Sequence, residues 1–291
     1  MAKITLAMAA SHAPGLIGML DEAPNESRQM VLESYGELAR QIKDERPNVI
    51  LMIANDHLAN NRIREYPDFL VGMAETHRGP SEFFRGWLAC DDYALPGNPA
   101  LAEILFNGLN VRDVRASATR ENLHFDDNIS VPVVRTEIEK TGIPIIPILQ
   151  NVTVPPVPDQ NRCYEVGQVI KQIIEEDFPE DLKVGIFATG GLSHEPGGLR
   201  DFWIDEEFDR WFLELLAEGD HERILREVTV EKMNQAGESG TGELLSWIVA
   251  MGAIGEAHCD VLGYTAWDQW RCGIGAVSWD LTRAPQNSVD A

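Results

Sequence analysis

Residues 3–15, KITLAMAASHAPG, decide the fold. Residues 4–10 form an uncharged, mostly apolar run of strand length, and it ends abruptly in Ser11, His12, Ala13 and Pro14. A short apolar run stopped by a turn reads as a strand buried on both faces. The arrangement recurs twice: residues 48–54, NVILMIA, lead into Asn55-Asp56-His57, and residues 183–189, KVGIFAT, lead into Gly190-Gly191-Leu192-Ser193-His194. Three strands thus each deliver a histidine just past their carboxyl end. In open α/β sheets ligands bind along that edge, so the three histidines are expected to converge.

Outward from these strands, residues 26–45 carry Met30, Val31, Tyr35, Leu38 and Ile42 at helical spacing and stop before Pro47. Strand, helix and strand make a βαβ unit, which predicts a mostly parallel sheet. Residues 69–74 read as a short strand, and 77–97, with no clean period, as an excursion over the sheet. Asn98-Pro99 opens a helix as cap and first turn, with Gly108 as its stop. An edge strand is expected at 111–116, a helix from Ser130 to Gly142, and a strand at 143–149. The run VPPVP at 154–158 suits a rigid connector. Helices follow at 160–177 and 204–218, and strands at 259–266 and 273–279. With no internal repeat, the expectation is one α/β domain over 1–285, a mixed, mostly parallel sheet with helices on both faces, and a disordered tail at 286–291.

Composition narrows the function classes. Across 291 residues, 44% hydrophobic and 24% charged content is that of a soluble globular protein. A formal net charge of −23 repels phosphate backbones and argues against nucleic-acid binding. No apolar run approaches the roughly 20 residues that span a bilayer, and the first strand lacks the basic start of a signal peptide. Cys90, Cys163, Cys259 and Cys272 form no CxxC pair and no zinc spacing, as expected of reduced thiols in a cytoplasmic protein.

Neutral imidazole is the commonest metal ligand and the usual acid or base near neutral pH. Two histidines and one carboxylate on one face of an ion hold non-haem Fe(II) and leave positions open. The best carboxylate is Glu243 in GTGELLSW, 240–247, where Thr241 reads as an N-cap and Glu243 falls in the first helical turn. An acid there also complements a helix dipole, and Glu238, in the preceding glycine-rich loop, is the second candidate. The same donor types suit Zn(II) and hydrolysis. His77, His221 and His258 lack a partner motif.

The turn Ser-His-Ala-Pro at 11–14, Asn-Asp-His at 55–57, Thr-Gly-Gly-Leu-Ser-His at 189–194 and the Gly-Glu-Leu helix start at 242–244 occur in an order and spacing that resembles the class III extradiol ring-cleaving dioxygenases, of the protocatechuate 4,5-dioxygenase beta-chain type. The resemblance runs from residue 4 to about residue 279. It implies Fe(II) held by His12, His57 and Glu243, His194 as acid and base, and insertion of both atoms of O2 into a catechol-type ring beside its diol. Ser11, Ser193 and His124 are then the expected substrate contacts. One departure stands out. The family often carries Asp-His-Gly ahead of Val-Pro, whereas residues 125–132 read FDDNISVP, with Asp127 in the place of that histidine; Asp127 is therefore a catalytic candidate. A carboxylated ring, as in protocatechuate or gallate, would want an arginine, and Arg78, Arg162 and Arg271 stand unranked. Trp267, Trp270 and Trp279 either wall a pocket or pack the core. Some members of the family pair with a small helical subunit over the active site. A homodimer or such a partner is expected here, with 77–97 as an alternative internal cover. Non-catalytic binding relatives also exist on this fold.

Overall fold

The computed structural model describes residues 1–284; the expected tail at 286–291 lies outside them. The strands are β1 (Lys3–Ala10), β2 (Val49–Asn55), β3 (Phe69–Gly72), β4 (Thr76–Gly79), β5 (Tyr93–Pro96), β6 (Ala116–Thr119), β7 (Ile145–Gln150), β8 (Lys183–Thr189), β9 (His258–Trp267) and β10 (Cys272–Asp280). The α-helices are α1 (Gly15–Gly18), α2 (Asn25–Glu45), α3 (Glu82–Leu88), α4 (Pro99–Val111), α5 (Asp127–Thr136), α6 (Gln160–Glu176), α7 (Glu206–Glu218), α8 (His221–Glu227), α9 (Val230–Ala236) and α10 (Leu245–Ile254).

Eight strands form one sheet in the order β6-β3-β7-β2-β8-β1-β10-β9. The central four, β7, β2, β8 and β1, are mutually parallel. At one edge β10 and β9 add antiparallel to β1, and at the other β3 runs antiparallel to β7 with β6 parallel to it. This is the expected mixed α/β architecture. Its decisive detail is adjacency: β2, β8 and β1 are neighbours, with Ala10 opposite Thr189 and Ile53 opposite Ala188.

Alternation along the strands separates two cores. In β1, Ala7 and Ala9 pack on the face covered by α4, α6, α7 and α10, while Leu6, Met8 and Ala10 pack on the face covered by α2 and α5. Helix α10 is apolar all round and buried from Leu245 to Ala253, the property of a helix enclosed on every side. No helix among the described residues is long and apolar enough to cross a membrane.

Several local expectations need correction. The 77–97 excursion, which shows no clean period in sequence, contains β4 and β5 paired as a separate antiparallel ribbon around α3, which packs against α1 and α5. Helix α4 runs past Gly108 to Val111, because that glycine sits against Ile173 of α6. The edge strand lies at Ala116–Thr119 instead of 111–116. Helix α5 begins at Asp127, three residues before Ser130, and holds Pro132 inside its first turns; Asp126 caps it by accepting the Asn128 N–H at 2.9 Å. Thr241 does not cap a helix. A 3-10 turn, Thr241–Leu244, precedes α10, and the Thr241 hydroxyl instead accepts the His194 N–H at 3.3 Å.

Candidate metal centre

Each histidine sits where its strand leaves the sheet, and the local fold fixes each ring through Nδ1. At the end of β1, His12 Nδ1 lies 2.5 Å from Thr189 Oγ1. That hydroxyl donates its single proton to the Asn128 carbonyl at 2.8 Å, so toward His12 it can only accept. Nδ1 therefore carries the hydrogen, and Nε2 presents a lone pair. His12 is almost fully buried, its turn held by the Tyr35 hydroxyl, which donates to the Ser11 carbonyl.

Beyond β2, His57 Nδ1 lies between two carboxylates, 3.2 Å from Asp126 Oδ2 and 3.3 Å from Asp127 Oδ1. The two negative charges on that side favour the hydrogen on Nδ1 and leave Nε2 free, although neither contact reaches hydrogen-bond geometry. After β8, His194 Nδ1 donates to the Leu192 carbonyl at 2.9 Å, with Cys272 Sγ 3.7 Å away.

All three Nε2 atoms face one carboxylate. Glu243 Oε2 lies 3.2 Å from His12 Nε2, and Oε1 lies 3.0 Å from His57 Nε2 and 3.5 Å from His194 Nε2. The 3-10 turn brings Glu243 there, anchored by the Ser246 hydroxyl donating to the Thr189 carbonyl and the Trp247 indole donating to the Gly190 carbonyl. The Gly191 N–H completes the carboxylate's contacts at 2.9 Å. Gly190 is required by proximity: a Cβ there would lie 2.6 Å from Asn55 Nδ2 and 2.7 Å from the Glu243 carbonyl oxygen.

The electrostatics follow from burial and pairing. Burial works against the charged form of His57, but Asp126, Asp127 and Glu243 outweigh it and raise its pKa well above the ordinary imidazole value. His194 is raised in the same way, against burial, by Cys272 and Glu243. Burial would push Glu243 up, yet His12 and His194 hold it well below the usual carboxylate range. Of the Asp126–Asp127 pair, burial pushes Asp126 up, while His57 holds Asp127 down against its own burial.

This donor set fits a divalent cation. Lone pairs on Nε2 of His12 and His57 facing carboxylate oxygens repel unless a proton or a cation lies between. Bonds of roughly 2.1 Å at right angles separate neighbouring ligand atoms by about 3 Å, the spacing Glu243 shows to His12 and His57. The donors that all lie within 4.8 Å of one another are those of His12, His57 and Asp127, so Asp127, on the Nδ1 side of His57, competes with Glu243, on the Nε2 side, as the carboxylate ligand. Asp127 Oδ1, like Asp126 Oδ2, is buried with no hydrogen bond. Glu238 is exposed and outside the cluster.

The remaining expected residues differ in placement. The Ser11 hydroxyl donates to the Gly273 carbonyl and accepts the Gly275 N–H, and the Ser193 hydroxyl donates to Asp209, so both already have protein partners. His124 is exposed; its backbone pairs with Asn60 in the loop after His57. Arg162 lies on α6 against Glu165, and Arg78 is exposed on β4. Arg271, next to Cys272, pairs with Asp201 at 2.8 Å and covers the Phe202 ring. Trp279 is core; Trp270 packs edge-on to Trp267, close against Gly15 of α1. Sequence reasoning missed Thr189, Asp126 and Leu192 as the groups that set the rings. For Asp126 a signal existed, an Asp two residues ahead of Asn at a helix start.

Residues 6–274 match the family described as the catalytic LigB subunit of aromatic ring-opening dioxygenase. A gallate dioxygenase of Pseudomonas putida is 37% identical over 116 residues, 40% of this chain and 33% of that protein. A 2,3-dihydroxyphenylpropionate/2,3-dihydroxicinnamic acid 1,2-dioxygenase of Photorhabdus laumondii is 28% identical over 64% of this chain and 55% of its own length. One from Xanthobacter autotrophicus is 24% identical over 92% and 96%. The chain thus spans about a third and just over half of the first two relatives. An uncharacterized protein from Escherichia coli K12 shares the fold, with TM-score 0.60 at 17% identity over 94% of this chain and 98% of that one.

Proposed function

The chain belongs to the family of catalytic LigB subunits of aromatic ring-opening dioxygenases, and on that premise we propose that it is an Fe(II)-dependent extradiol dioxygenase that inserts both atoms of O2 into a catechol-type ring beside its diol. The observation that carries this reading is the convergence of three imidazole Nε2 atoms on Glu243. His12, His57 and Glu243 are the ligands of the proposal. When bound there, Fe(II) supplies a redox-active Lewis acid with open coordination positions.

The chain's own residues move and hold protons. His194, with its hydrogen fixed on Nδ1 by the Leu192 carbonyl, takes a proton at Nε2 from one diol hydroxyl; Glu243, 3.5 Å away, stabilises the resulting imidazolium. The same Nε2–H later returns the proton to oxygen as the ring opens. Asp127, with a buried Oδ1 free of hydrogen bonds, accepts from the second hydroxyl, the task that falls to it where the resembling family has histidine. Ser11 and Ser193 act through the turns they shape. For a carboxylate on the ring, as the relatives' names indicate for them, Arg271 is the proposed partner, because its neighbour Cys272 touches His194. A cytoplasmic homodimer, or a complex with a small helical subunit, belongs to the same proposal, supported by Phe83 and Trp87 standing 89% and 60% exposed on α3.

The test is anaerobic loading with Fe(II), then addition of protocatechuate, gallate, 2,3-dihydroxyphenylpropionate and unsubstituted catechol in aerated buffer. Stoichiometric oxygen uptake with a coloured ring-opened product is expected for at least one diol. Iron bound with no uptake for any of them overturns the reading, and turnover only of ester or amide substrates with Zn(II) replaces it by hydrolysis.

A further inference from the structure

Beneath the Ser193–His194 turn lies an acid that the chemistry above does not use. Asp209, in the first turn of α7, is 0% exposed. Its Oδ1 accepts the Ser193 N–H at 2.8 Å. Its Oδ2 accepts the Ser193 hydroxyl and the Tyr264 hydroxyl, each at 3.0 Å. The Ser193 oxygen in turn accepts the Asp205 N–H at 2.9 Å. On the other side the turn is sewn to β10, Leu192 N–H to the Gly273 carbonyl at 2.9 Å and Gly273 N–H to the Ser193 carbonyl at 3.1 Å. Position 273 must be glycine for this to close, since a Cβ there would fall 1.9 Å from Asp209 Oδ2.

A buried carboxylate is costly even when hydrogen-bonded. Docking α7 does not call for one, because Phe208, Phe212, Leu213, Leu215 and Leu216 already bury that helix in the core. What the carboxylate adds is direction. It binds both the N–H and the hydroxyl of the residue immediately before His194, so the peptide entering His194 has one orientation. The ring's Nδ1 then meets the Leu192 carbonyl and its Nε2 meets Glu243.

We propose that Asp209 is a positioning residue for His194, holding the Ser193 peptide so that the His194 Nε2 is aimed at the diol site. The proposal rests on the acid–base role given to His194 above. Asp209→Asn keeps the shape but replaces the oxygen that accepts two hydroxyls by an NH2. Both hydroxyls must then stop donating there, and the Ser193 oxygen, which already accepts the Asp205 N–H, has to accept a second hydrogen, so the turn shifts. Misplacing a catalytic group by about 1 Å can cost on the order of 100-fold in rate. His12 and His57 hang on other turns, and Glu243, though it accepts the Gly191 N–H at the start of this one, is carried by its own 3-10 turn, so the three should keep a bound iron.

On the diol giving the fastest oxygen uptake, Asp209→Asn is expected to lower kcat by roughly 10- to 100-fold, with KM and Fe(II) affinity within about twofold of the parent. In a His194→Gln background the same change should add less than about twofold, because the group it positions is gone. Ser193→Ala, which keeps the N–H bond and loses the hydroxyl, should give a smaller kcat loss with the same dependence on His194, and serves if Asp209→Asn does not fold. Full additivity with His194→Gln, or loss of Fe(II) affinity, overturns the proposal. Failure of the dioxygenase reading is separable: in metal-free protein, imidazole nitrogen NMR of Asp209→Asn, or of Ser193→Ala, should move the His194 signals and leave those of His221 and His258. Unmoved His194 signals overturn the positioning role whatever the activity.

Discussion

Thr189 accepts the Nδ1 hydrogen of His12 and passes its own proton to the Asn128 carbonyl, so one hydroxyl on β8 sets the tautomer of a ring on β1. The neighbouring strand thereby decides which nitrogen faces Glu243. Groups that orient metal-binding imidazoles in this way are commonly worth 10- to 100-fold in affinity. Thr189→Val, isosteric but unable to accept, is expected to weaken Fe(II) binding by about 10- to 100-fold in anaerobic calorimetry.

The two carboxylates suggested by the sequence separate cleanly. Glu243→Gln should abolish stoichiometric iron binding and oxygen uptake, because the shared oxygens facing His12 and His57 are lost. Glu238→Gln, at an exposed position outside the cluster, should leave iron content and turnover unchanged. Metal analysis after gel filtration distinguishes the two.

The metal-free protein should show a stability maximum bounded on both sides. His57 and His194 have folded pKa values above the ordinary 6.5, so their contribution is complete below that value and is lost as pH rises through the folded ones. Glu243 is lowered from 4.5, so its contribution is complete above that value and is lost as pH falls through the folded one. Melting temperature against pH should therefore decline at both ends, and Glu243→Gln should flatten both limbs. Loading with iron expels the protons between these groups, so apparent affinity should rise with pH.

Gly190→Ala forces a methyl against Asn55 and the Glu243 carbonyl. Overpacking of this kind costs about 1–3 kcal/mol, readable as a lowered urea midpoint. Iron affinity should fall with it, because the displaced backbone carries Glu243.

Much of the centre was legible in the sequence because buried parallel strands announce themselves as apolar runs, and the residues just past a strand's carboxyl end open onto the site. His12, His57 and His194 came from that pattern alone. The case for Glu243 rested on its place at a helix start and on the family resemblance, and the structure corrects the capping reason given for it. The groups that set the rings were not legible: Thr189 reads as the last residue of a strand, and Leu192 contributes only a carbonyl. Pro132 drew the start of α5 too late and hid Asp126 as its cap. Residues 116–119, ASAT, carry too little hydrophobic signal to mark an edge strand. Asp209 looks like any acid favoured near a helix start.

The order β2-β8-β1 has a consequence for assembly in the cell. The donors come from segments synthesised far apart, and no local hairpin can bring them together. The complete donor set exists only once residue 243 has been made and these parallel pairings, slow to form across long separations, are in place. Under the iron reading proposed above, ferrous ion would be captured only after the last crossover has closed, sparing the nascent polypeptide an oxidant-generating metal while its backbone is still open.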